Sequence, residues 1–116
     1  MKYENFTTFS VDVKDAIATV TFDYGTVNVQ GQEMLADLNS LSMRLERDRD
    51  TKVVIFQSAH PEIWVAHYDT ELLKDMAIEA VSRENAVLLD LQMVCERISR
   101  VPQATIAKLE GFARGG

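Results

Sequence analysis

Near the middle of the chain, Lys52-Val53-Val54-Ile55-Phe56-Gln57 forms a continuous apolar run bounded by polar residues. It lacks the alternation of a half-buried strand and is too short for a helix. It suits a strand covered on both faces, as in a parallel sheet. The residues before it read as helix. From about Gln32, Met34, Leu35, Leu38, Leu41 and Leu45 recur at helical spacing, which gives one apolar face to pack on a sheet. Asp48-Arg49-Asp50 ends that helix.

Upstream the period is two. Phe9, Val11 and Val13 alternate with polar residues, Lys14-Asp15 makes a short turn, and residues 16–22 return as the second strand of an antiparallel hairpin. Downstream, residues 59–68 are loop with Pro61. Asp69 or Thr70 caps a short helix through Leu72, Leu73 and Met76. A longer helix is expected over 79–100, with Arg97 and Arg100 suiting its C-terminal end, and Val101-Pro102 stops it. Residues 104–108 form the next strand, followed by a glycine-rich turn and the start of a helix. The order β-β-α-β-α-α-β, with buried later strands, is an α/β layer structure. No repeat, linker or low-complexity tract divides residues 1–116, so they read as one unit.

Composition narrows the function classes. The chain has 116 residues and a net charge of −6, with no basic stripe for a phosphate backbone. Arg44, Arg47 and Arg49 cluster, but Glu46, Asp48 and Asp50 interleave with them. Nucleic acid is therefore not an expected partner. No apolar run is long enough to span a bilayer, and the N-terminus lacks the apolar stretch of a secretory signal. The single cysteine, Cys95, cannot form an internal disulfide and falls at helical spacing among apolar residues, so it reads as a core thiol. The expected setting is the cytosol.

Side-chain chemistry is sparse. His60 and His67 lack the spacing of a metal site, and no metal is expected. No nucleophilic triad, phosphate loop or dinucleotide fingerprint is present. Backbone chemistry is better supported. Glycines after a strand, as in Gly111 through Gly116, permit close approach of a ligand. Helix-start N–H groups are open to a developing oxyanion.

Two motifs then carry a resemblance. Trp64-Val65-Ala66-His67-Tyr68-Asp69 is similar to the aromatic-small-Ala-Gly-Ala-Asp segment of the crotonase superfamily, the enoyl-CoA hydratase/isomerase proteins. Residues 102–116, ending Glu110-Gly111-Phe112-Ala113-Arg114-Gly115-Gly116, resemble that family's apolar strand and Gly-rich turn. The likeness covers nearly the whole chain. It implies the N-terminal portion of a crotonase-like ββα spiral fold, in a chain that breaks off within the second motif.

The resemblance also implies an acyl-CoA substrate. Its thioester carbonyl would be polarised by the backbone N–H groups of Ala66 and Gly116, with His67, Tyr68 and Gly115 beside it. Coenzyme A enters as part of the substrate, and no separate cofactor is implied. The family's acid–base residues lie beyond Gly116, so the 116 residues alone are expected to be inactive. The full-length parent is expected to be a homo-oligomer, a trimer or hexamer. His67, Tyr68, Glu110 and Arg114 depart from the family pattern. Histidine in place of glycine after Ala66 implies strain if that position needs positive φ. The departures leave open a second reading, a crotonase-like binding or assembly module without catalysis.

Overall fold

The computed structural model of the chain describes residues 3–76 and 79–115. Strands β1 (Phe9–Lys14) and β2 (Ile17–Phe22) pair antiparallel, with Lys14 opposite Ile17. Asp15 and Ala16 alone connect them, at φ of 52° and 65°. Two successive left-handed residues make the type I′ geometry, whose twist matches the strands it joins. The turn therefore sits one residue later than the expected Lys14-Asp15.

Strand β3 (Val53–Ser58) lies parallel to β2, and β4 (Ala104–Ala107) lies parallel to β3, giving the order β1-β2-β3-β4. Parallel neighbours need a crossover. Helix α1 (Gln32–Arg47) supplies it between β2 and β3. Its Met34, Leu35, Leu38, Leu41 and Leu45 are buried in one cluster with Ala18, Val20 and Phe22 of β2 and Val54 and Phe56 of β3. The register explains the match. Ala18 pairs with Val54 and Val20 with Phe56, so these side chains share the face that meets α1. Burying each large aliphatic contributes about 1.5–3 kcal/mol.

A second tie closes this half of the molecule. The Tyr3 hydroxyl donates to Asp48 Oδ2 at 2.6 Å, and the Thr51 hydroxyl donates to the same oxygen at 2.7 Å. The N–H groups of Asp50 and Thr51 donate to Asp48 Oδ1. Burial alone would raise the Asp48 pKa, but these hydrogen bonds outweigh it and hold the carboxyl far below the usual carboxylate range. Burial, then the bond to Asp48, pushes the Tyr3 phenol well above its ordinary value. Gln103, just before β4, donates to the carbonyls of Leu45 and Asp48 and links the last strand to the end of α1.

The other half departs from the sequence expectations. Only one sheet face is covered. Val54 and Phe56 are buried while Val53 and Ile55 are half-buried, and every residue of β4 is exposed. The expectation that β3 is covered on both faces and that the later strands are buried therefore fails. The helix expected over 79–100 reduces to α2 (Asp90–Ser99) after a single 3-10 turn at Arg83–Asn85. Val87 and Leu88 have the right spacing with Leu91, Val94 and Ile98, yet they are exposed, with Val87 at 85%. A helical pattern with no surface to pack on lacks the tertiary stabilisation most helices need. Within α2 only Val94 is buried, and Cys95 is exposed, contrary to its reading as a core thiol. The short helix after Asp69 forms as a 3-10 helix (Thr70–Asp75), and Asp69 Oδ1 accepts from Glu71 N–H as expected of its cap. No helix among the described residues is long and apolar enough to cross a membrane.

Candidate functional site

The loop after β2 is organised by Asn28, a buried residue at φ 50°. Its Oδ1 accepts from the Tyr24 N–H at 2.8 Å. Its Nδ2 donates to Ser58 Oγ at 2.9 Å and to the Trp64 carbonyl at 2.8 Å. One amide thus fixes its own loop, the end of β3 and the loop beyond β3. Of these partners only Tyr24 is near Asn28 in the chain, so the sequence around it does not announce the other two bonds. Backbone bonds extend the seam. The N–H of Gln30 donates to the His67 carbonyl, and that of Asp69 donates to the Gln30 carbonyl, both at 2.9 Å.

The second motif docks on the first. The Phe112 N–H donates to the Glu62 carbonyl at 2.9 Å, the Trp64 N–H donates to the Phe112 carbonyl at 2.8 Å, and the Arg114 N–H meets the Val65 carbonyl at 3.5 Å. Gly111 permits this approach. It lies at φ 77°, and a Cβ there would fall 2.1 Å from the Glu62 carbonyl carbon. No side chain fits in that space. Trp64 anchors the seam to the core, its ring edge-on to Phe22 with centroids 5.5 Å apart.

Between the two loops lies a cavity of about 180 Å³ lined by Ile63, Ala66, His67, Phe112 and Arg114. The lining is apolar apart from two nitrogenous side chains. His67 is exposed, and its Nδ1 is 2.6 Å from the Tyr68 carbonyl. A carbonyl only accepts, so this contact puts a proton on Nδ1 and leaves the neutral ring's lone pair on Nε2. The Arg114 guanidinium lies 5.5 Å from the Phe112 ring centroid.

The residues singled out by sequence distribute unevenly. Ala66 and His67 line the cavity. Tyr68 instead packs against the core cluster and pairs with Gln30. Gly115, at φ 44°, has open space around it, and Gly116 falls outside the described residues. Residues 111–115 form a turn, and no helix begins within them. The Ala66 N–H, expected to be an open donor, is bonded to the Val27 carbonyl at 3.0 Å. His67 is not among the residues at positive φ, so the strain expected of histidine there is absent. Sequence reading did not place Ile63 or Phe112 at the site. Ile63 only flanks the first motif, and Phe112 lies within the second without a role read for it.

No protein-family model matches the chain, and a search of curated proteins finds no match either. Solved structures do match. A candidate enoyl-CoA hydratase from Streptomyces avermitilis is 31% identical over 92% of this chain, with a TM-score of 0.77. An enoyl-CoA hydratase from Shewanella pealeana superposes on 98% of the chain at a TM-score of 0.79 with 14% identity. A methylmalonyl CoA decarboxylase covers 93% at a TM-score of 0.72 with 18% identity. This chain spans 40%, 43% and 39% of the lengths of those structures, respectively.

Proposed function

We propose that this chain, a member of the crotonase family by its fold and its two motifs, binds the thioester end of an acyl-CoA in the cavity between residues 63–67 and 112–114. The observation that carries this reading is the convergence of the two motifs on one small apolar cavity, with Ala66 in its wall. Apolar walls suit an acyl chain, and a backbone N–H at the wall suits its carbonyl oxygen. The Ala66 N–H would serve by exchanging the Val27 carbonyl for the thioester oxygen, one acceptor for another.

Chemistry on the bound thioester needs a group that moves protons. Among the described residues, those that line the cavity include no carboxylate, and His67 Nε2 carries a lone pair that could take a proton. The 116 residues alone are therefore expected to bind acyl-CoA and turn over little of it. A full-length parent would be an enoyl-CoA hydratase/isomerase-type enzyme, working in the cytoplasm as a homo-oligomer. The satisfied Ala66 N–H favours a second reading, a crotonase-like module that binds without reacting.

Titration of the chain with butyryl-CoA tests the first claim. Saturable binding that is weakened by Phe112→Ala is expected, and no binding at millimolar thioester would remove the proposal. Hydration of crotonyl-CoA by a full-length parent would exclude the module. Binding without turnover across a panel of thioesters would favour it.

A further inference from the structure

Resting on the acyl-CoA reading, we propose that the cavity takes a short acyl group ending in a carboxylate, and that Arg114 selects it. The argument begins with where the cations go. The chain is acidic overall, and several of its cations meet an acidic partner: Lys74 with Glu71, Arg100 with Glu96, and Lys108 with Glu110. Arg114 differs. It lies over the Phe112 ring, and among the described residues it has no carboxylate partner. An aromatic face steadies a guanidinium without using its N–H donors. Those donors keep the planar fork that matches a carboxylate two bonds at a time.

The surroundings sharpen the choice. Ile63, Ala66 and Phe112 make the wall apolar while Phe112 and Arg114 stay exposed, so the two-bond match of the guanidinium fork, rather than burial, is what would favour a carboxylate. The pocket is small, about 180 Å³, and open to solvent, so the part of an acyl group lying between Ala66 and Arg114 is short. Ala66 and Arg114 line the same cavity, and the Arg114 N–H reaches the Val65 carbonyl. The thioester carbonyl and the anion must then be close together. The phosphates of coenzyme A lie a whole pantetheine arm away from the thioester. The anion that meets Arg114 therefore belongs to the acyl group.

The test compares butyryl-CoA with succinyl-CoA, which share a four-carbon acyl chain and differ in the terminal carboxylate. Fluorescence of Trp64, the single tryptophan and near neighbour of Ala66, reports binding to the 116-residue chain. The wild type is expected to bind succinyl-CoA roughly tenfold or more tightly than butyryl-CoA, the scale of one hydrogen-bonded charge pair. In Arg114→Gln the ratio should fall to about one, and Arg114→Lys should keep an intermediate preference. Circular dichroism establishes that each variant is folded. Equal binding of the two thioesters by the wild type overturns the inference while the acyl-CoA reading stands. A preference that disappears with succinyl-3′-dephospho-CoA, or an Arg114→Gln change that weakens both thioesters equally, assigns the anion to coenzyme A and also overturns it. Failure of either thioester to bind removes the underlying reading, and the inference with it.

Discussion

The two halves of this chain solve the burial problem differently. In the β1-β2-β3-α1 half, Met34, Leu35, Leu38, Leu41 and Leu45 of α1 share one cluster with the sheet, and Leu41, Leu45, Val20 and Val54 are fully buried. In the half built from residues 79–115, β4 is exposed throughout and Leu109 and Phe112 stand open to solvent. The first half is held by packing; in the second, α2 packs on the core through Val94, Leu91 and Ile98, while β4 and the turn after it are tied by main-chain hydrogen bonds. The candidate cavity lies along the seam, with one wall tied to the packed core through Trp64 and the other belonging to the open turn. A site at such a boundary combines a fixed frame with a wall that can adjust.

The contrast predicts a graded set of responses. Leu41→Ala, in the packed half, should cost about 2–5 kcal/mol and lower the urea midpoint of the whole chain. A loss below about 1 kcal/mol there would dissolve the distinction between the halves. Gly111→Ala should act locally. A Cβ among the Glu62 backbone atoms at positive φ forces the turn away, at a strain of about 1–3 kcal/mol. Amide exchange should accelerate at Trp64 and Phe112 while the amides of α1 stay protected. Uniform acceleration would show that the seam and core unfold together.

Tyr3→Phe removes one donor from the buried Asp48 carboxylate and should cost about 1–3 kcal/mol near neutral pH. The sign of its pH dependence follows from the depressed Asp48 pKa. Stability from that carboxylate is fully present above its unfolded-state pKa of about 4 and is lost as pH falls toward the lower folded value. The wild type should therefore lose its advantage over Tyr3→Phe progressively below about pH 4. A constant difference from neutral pH down to pH 2 would contradict this linkage. Val87→Ser, at the most exposed apolar position, should change stability by less than about 0.5 kcal/mol. It should also reduce concentration-dependent association in sedimentation, because exposed apolar surface favours self-contact. A large stability loss there would mean that residues 79–89 pack more closely than their exposure indicates.

What could be read from sequence follows the same division. Helix α1 was legible because its period and its burial coincide, Leu38 and Leu45 serving both. Strand β2 and the buried Val54 and Phe56 of β3 follow the same rule, whereas β4 is exposed throughout and its strand was legible without burial. The 79–100 segment has an equally convincing period, but period reports what a segment could bury, and Val87 and Leu88 have nothing to bury against. Of the residues singled out by local motif, Ala66 and His67 line the candidate cavity. The site was illegible where it depends on meetings between distant segments. Nothing near Asn28 announces a bond to Trp64, and nothing near Ala66 announces that Val27 occupies its N–H.

Gly111 has a consequence for variation. Because the contact it permits is between main chains, the alignment of the two loops does not depend on which side chains face the cavity. Phe112, Arg114 and His67 could each be exchanged while the frame around them keeps its register. A site built this way separates the part that must not change from the part that decides what binds.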